Sequence, residues 1–191
     1  MEIRSFLAFE LPSEIKHIIS QVWDDLKRSP LNVRWVKKDN IHLTVIFLGQ
    51  IDQDRLMALG EEAKKVCMAY GPFQVSLKGI GCFPNRRNPR VLWIGLDGHL
   101  ERMNHFRDAL QKSLKTFGIK EEKRTFQPHL TLGRFKKFNK MDSQLDECLL
   151  RYKDLSSSVF TLDDLTLFKS DLKPTGSEYT KLQSWPLLGK R

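Results

Sequence analysis

A strand, a helix and a second strand opening on His-Leu-Thr occur twice in this chain, and the two copies keep step. His42 plus 87 is His129, and Thr44 plus 87 is Thr131. Arg4-Ser5-Phe6-Leu7-Ala8-Phe9-Glu10-Leu11 faces Arg90-Val91-Leu92-Trp93-Ile94-Gly95-Leu96-Asp97 at an offset of 86, and an amphipathic helix follows each stretch before its triplet. Two copies of one supersecondary unit predict an α+β fold with a bilobal, pseudo-twofold duplication. Two antiparallel sheets would face a central cleft and carry helices on their outer faces. With 191 residues and no segment that reads as a linker, residues 1–191 are expected to form one bilobal domain.

The individual elements follow from hydrophobic spacing. Residues 4–10 read as an apolar strand, then Pro12 turns the chain and Ser13 can cap a helix. Ile15, Ile18, Ile19, Val22 and Leu26 recur at helical spacing and leave Lys16, Asp24, Asp25 and Lys27 for water. Trp35-Val36 begins a new segment, Ile41 to Gly49 reads as a buried strand, and Asp54 to Tyr70 as a helix ended by Gly71-Pro72. Strands are expected over 73–77 and 91–96, separated by a loop rich in Gly, Pro and Asn, with a helix over about 100–117. A further helix is expected over 140–150. Closing strands over 158–168 and 178–182 would flank a turn at Lys173-Pro174-Thr175-Gly176.

Each triplet continues the pattern His-x-Thr-x with apolar residues at both x positions: Leu43 and Val45, Leu130 and Leu132. On a strand, residues i and i+2 share a face, so each strand offers one imidazole beside one hydroxyl while the leucines pack behind. Two imidazoles brought together by the symmetry can flank a phosphorus atom, one taking a proton from water and the other giving one to the leaving oxygen. Thr44 and Thr131 would hold the non-bridging oxygens as charge develops. The other three of the five histidines, His17, His99 and His105, share no repeated context and are expected at the surface. Neither triplet is accompanied by the carboxylate or cysteine that a three- or four-ligand metal site needs, so no metal and no cofactor are expected.

Composition sharpens the class. Lys plus Arg number 32 against 23 acidic residues, a formal charge of +9 that suits an anionic partner such as nucleic acid. Basic clusters lie at Arg86, Arg87 and Arg90, at Lys123-Arg124 and at Lys136-Lys137. Cys67, Cys82 and Cys148 are odd in number and form no C-x-x-C pair, which points to buried thiols and a reducing cytoplasm. No apolar stretch approaches the roughly 18 residues of a membrane span.

With these motifs the chain resembles the RNA 2',3'-cyclic phosphodiesterases, also called 2'-5' RNA ligases, of the two-histidine phosphoesterase superfamily. Besides the triplets, the resemblance rests on the stretches 6–12, Arg34-Trp35-Val36, Asn40-Ile41-His42-Leu43-Thr44 with Phe47-Leu48-Gly49, residues 90–95, 126–134 and Leu167-Phe168-Lys169-Ser170. It implies two triplets facing each other in a basic cleft and hydrolysis of RNA 2',3'-cyclic phosphate ends to 2'-phosphomonoesters without metal. Reversible 2'-5' ligation would use the same site. By the family pattern His42 is the proton donor and His129 the acceptor.

Arg134 lies at a family position that is usually basic and is a candidate for an additional phosphate contact. It stands an odd step from Thr131, so a bulge at Gly133 or a strand end is required to turn it toward the cleft. Arg90 could reach the cleft mouth, and Trp35 could stack on a base. The expected partner is RNA with cyclic phosphate ends or a related nucleotide, with no membrane and no obligate protein partner. Two alternatives stand beside this reading: a cyclic phosphodiesterase for small nucleotides, and an RNA-binding module without turnover.

Overall fold

The computed structural model describes residues 1–136, 143–174 and 176–191. Strands β1 (Glu2–Phe9), β2 (Val33–Trp35), β3 (Leu43–Asp52), β4 (Phe73–Phe83), β5 (Val91–Gly98), β6 (His129–Phe135), β7 (Phe160–Leu162), β8 (Asp164–Lys173) and β9 (Gly176–Pro186) alternate with four helices. These are α1 (Ser13–Arg28), α2 (Leu56–Ala69), α3 (Leu100–Leu114) and α4 (Ser143–Arg151). The expected helix over 140–150 thus has its first three residues outside the described residues, as does Thr175 of the expected turn.

The α1 stripe is the one expected, except that Ile18 is only half-buried and Trp23 joins it. α1 buries Ile15, Ile19, Val22, Trp23 and Leu26, and α3 buries Met103, Phe106, Leu110 and Leu114 against the sheet. Ser13 does not cap α1. It is the first helical residue, no side chain caps the helix at Pro12, and the Pro12 carbonyl accepts the Lys16 N–H at 3.0 Å. The stretch 158–168 divides into β7 and β8 around Asp163.

All the pairings are antiparallel, and the two expected sheets join into one curled sheet of order β7-β4-β5-β6-β3-β1-β8-β9, with β2 on the free part of β6. β3 and β6 meet at one pair, Leu43 with Leu130. Those two residues are 87 apart, the interval that relates the triplets, so this junction lies between the two triplets. Across it the halves exchange strands. β4, which ends the first repeat, pairs with β5, whereas β8 pairs with β1 at the start of the chain.

The register corrects one feature of the repeat. Ala8 lies opposite Thr44 on β3, and Trp93 lies opposite Thr131 on β6, so β1 and β5 correspond at an offset of 85 rather than 86. Side-chain direction explains the difference, because a slip of one residue exchanges the faces of a strand. At the observed offset the fully buried Leu7 and Phe9 match the fully buried Leu92 and Ile94.

Candidate active site

His42 and Thr44 flank Leu43, and His129 and Thr131 flank Leu130. Both leucines are fully buried beneath the sheet, so the four polar side chains emerge on its other face. Continuing the Leu43–Leu130 pairing by one residue in each direction sets His42 opposite Thr131 and Thr44 opposite His129. Imidazoles and hydroxyls thus alternate around a quadrilateral, with diagonal Cβ atoms roughly 7–8 Å apart in such a pairing. Both strands bulge just after the threonine. Leu7 and Ala8 face Ile46 and Thr44, leaving Val45 extra; Leu92 and Trp93 face Gly133 and Thr131, leaving Leu132 extra. The bulge supplies the half-turn that the sequence required for Arg134, which lines the same cavity as Thr131.

The two imidazoles are oriented alike. Nδ1 of His42 lies 2.7 Å from the Asn40 carbonyl, and Nδ1 of His129 lies 2.7 Å from the Gln127 carbonyl. A carbonyl only accepts, so Nδ1 carries the proton in each and Nε2 is left with a lone pair. Thr44 Oγ1 is 2.9 Å from Nε2 of His42 and donates to it in this tautomer.

The surroundings differ. His42 stacks on Phe6 at 4.7 Å between centroids, meets the Tyr179 ring edge-on at 5.3 Å, and belongs to an aromatic group completed by Phe168. Burial there pushes its pKa down to about 4, against smaller upward effects of the Asn40 carbonyl and the Glu10 carboxylate. His129 meets Phe83 edge-on at 4.9 Å and lies beside Trp93. Its pKa is also lowered, chiefly by burial; the Gln127 carbonyl opposes this and the Arg134 charge adds to it. Both rings are therefore neutral near pH 7 in the unliganded protein, but a carboxylate attends one and a guanidinium the other.

A cavity of about 550 Å³ opens over this face. His42, Thr44 and Thr131 form part of its lining, and Arg4, Arg34, Lys37, Arg134 and Lys173 make it basic, with no Asp or Glu in its wall among the described residues. His129 lies outside that lining, beside Phe83 and Trp93. Trp35 lines the cavity while its ring packs edge-on against Trp23 at 5.6 Å, so it serves both core and cleft. Arg90 is not brought to the cavity. It is exposed where the 84–90 loop enters β5, its N–H bonded to the Phe83 carbonyl at 2.6 Å.

The clusters at Arg86–Arg87 and Lys123–Arg124 also stand away from the cavity, and Lys137 lies outside the described residues. Arg4, Lys37 and Tyr179 are lining residues that the motifs did not single out, and Phe6, Arg34 and Phe47 lie in the stretches of resemblance without a role having been assigned to them. The signal for Arg4 was available, since it sits two residues before Phe6 on one strand face. His17, His99 and His105 are exposed as expected. Among the described residues no group of three His, Cys, Asp or Glu side chains is placed to hold a metal ion.

The sequence pattern of the 2'-5' RNA ligase superfamily matches residues 12–174, and thus both triplets with the strands that carry them. The chain belongs to this superfamily. Relatives within it include a Methanocaldococcus jannaschii protein named RNA 2',3'-cyclic phosphodiesterase, 33% identical over 96% of this chain and 100% of that one. A Methanothermobacter thermautotrophicus protein of the same name is 29% identical over 98% of this chain and its own full length. Among solved structures, E. coli LigT complexed with 3'-AMP superposes with a TM-score of 0.77 at 25% identity, covering 98% of this chain and 99% of LigT. A Thermus thermophilus protein gives a TM-score of 0.82 at 24% identity, over 99% and 100% of the two chains, and so shares the superfamily fold.

Proposed function

We propose that this protein hydrolyses RNA 2',3'-cyclic phosphate ends to 2'-phosphomonoesters, with His42 and His129 as the acid and base pair. The observation that carries the reading is the Leu43–Leu130 junction, which sets two His-x-Thr pairs on one face of the sheet, with His42, Thr44 and Thr131 lining a basic cavity and His129 beside it. Relatives at 29–33% identity over nearly the whole chain bear the name of this activity.

In the proposed reaction His129 accepts a proton from water as its oxygen attacks phosphorus. The bond from phosphorus to the 3'-oxygen breaks, and His42 gives that oxygen a proton. Thr44 and Thr131 donate to the non-bridging oxygens, and Arg134, farther along β6, contributes an additional contact to phosphate of the substrate strand. The neighbouring charges favour this orientation: Glu10 supports an imidazolium at His42, and Arg134 supports a neutral ring at His129. A phosphate anion beside His42 raises its pKa from the unliganded value, so substrate binding itself prepares the acid. With a 5'-hydroxyl in place of water, the same groups form a 2'-5' linkage, and run backwards they cleave it to the cyclic phosphate.

Trp35 is proposed to contact the substrate from the cavity wall, whereas Arg90 is exposed and lies off the cavity lining. The two lobes exchange strands, which favours one domain over 1–191, and the three free cysteines suit a reducing cytoplasm. Among the described residues no helix is long and apolar enough to cross a membrane.

The test is hydrolysis of a short RNA ending in a 2',3'-cyclic phosphate, with excess chelator and the position of the product phosphate determined. A 2'-phosphate formed at undiminished rate is expected, and His42→Ala or His129→Ala should slow it roughly 10²–10⁴-fold while the fold survives. Bound but unconverted RNA would favour a binding module instead.

A further inference from the structure

Arg34 on β2 and Arg134 on β6 are directly opposite each other in the register, and both are exposed and line the cavity. Like charges facing across a strand pair repel. Among the described residues neither guanidinium has an ion-pair partner to relieve that repulsion, and no acidic side chain belongs to the cavity wall.

The backbone nonetheless forces the two together. Strand β2 has three residues, and it reaches β6 because position 133 is glycine: a Cβ there would run into Val33 Cγ1 and come within 3.0 Å of the Arg34 carbonyl oxygen. The bulge at Leu132 then turns Arg134 to the cavity side. Two independent backbone features thus converge on one pair of unrelieved positive charges, an arrangement that an anion between them would stabilise.

We infer that Arg34 and Arg134 form a second phosphate site, which takes the phosphodiester on the 5' side of the terminal nucleotide. Three residues of bulged strand separate Arg134 from Thr131, roughly 7–10 Å, comparable to the reach of one nucleotide. A strand that ends in a cyclic phosphate has no phosphate beyond that end, so the next one lies 5' of it. The inference rests on the phosphodiesterase reading and narrows it: the favoured substrate is an RNA strand rather than a mononucleotide.

The experiment compares kcat/KM for a dinucleotide ending in a 2',3'-cyclic phosphate, for the same dinucleotide with a neutral methylphosphonate linkage, and for the nucleoside 2',3'-cyclic phosphate. The charged dinucleotide should be preferred over both others by about tenfold or more, and Arg34→Gln should reduce that ratio about tenfold. Arg86→Gln, on the exposed loop outside the cavity, should leave the ratio unchanged. Equal losses on all three substrates in Arg34→Gln, or equal rates on all three in the unaltered protein, would overturn the inference. Should the unaltered protein hydrolyse none of them, the assigned reaction fails. Competition binding with the corresponding 2'-phosphate products would still read the second site through the same ratio and the same variant.

Discussion

The imidazole of His42 is held between Phe6 and the edge of Tyr179, where burial keeps it neutral down to about pH 4. In the unfolded chain it titrates near 6.5, so between these values the unfolded state binds the extra proton and stability must fall as the solution is acidified. The contribution is complete above about pH 6.5 and is lost on the way down to about 4, on the order of 3 kcal/mol in all. His42→Gln, which cannot titrate, should flatten this part of the pH profile when urea denaturation at pH 7 and pH 4.5 is compared with that of the unaltered protein. Equal slopes would show that the ring is solvated. The shared face of the two His-x-Thr pairs was legible in the sequence, because His-x-Thr with apolar x places imidazole and hydroxyl together on a strand. Of the neighbours that distinguish the two histidines, Glu10 and Tyr179 at one and Phe83 at the other come from distant segments and leave no local pattern, whereas Arg134 lies on the same strand as His129 and was legible.

Strand β2 shows how little sequence an element needs to shape a site. Its three residues carry Arg34 and Trp35 to the cavity, and Gly133 is the surface on which they rest. Gly133→Ala should push β2 off β6 and destabilise the protein by about 1–3 kcal/mol, read as a lowered urea midpoint at unchanged slope. An unchanged midpoint would mean that β2 yields without cost. The long elements were readable, since α1 and α3 repeat their apolar residues over several turns. β2 was not, because three residues display no period. Nor was the bulge at Val45, because the apolar pattern runs through it undisturbed, whereas the bulge in β6, found at Leu132, was expected at Gly133 only from the role of Arg134. The one-residue difference in the offset of β5 follows from the same silence.

At the scale of the molecule, one lobe consists of β3, β1, β8 and β9 and the other of β6, β5, β4 and β7. Each lobe contains strands from both halves of the chain, and one hydrophobic cluster runs from Leu7 on β1 through Leu92 on β5 to Trp185 on β9. Thermal unfolding should accordingly be a single transition, with near-ultraviolet dichroism from the tryptophans coinciding with far-ultraviolet loss of secondary structure. Two separated transitions would mean that the lobes fold independently. The repeat was visible in the sequence as two triplets in step, but the exchange of strands was not, since pairing partners are chosen across the whole chain. That exchange also fixes an order of events during synthesis. The second lobe has all its strands once residue 162 has left the ribosome, whereas β1, made first, must wait for β8 as its neighbour. The lobe bearing the first-made histidine is therefore the last to close, and a chain released early carries the chemical groups without the surface that sets them to work.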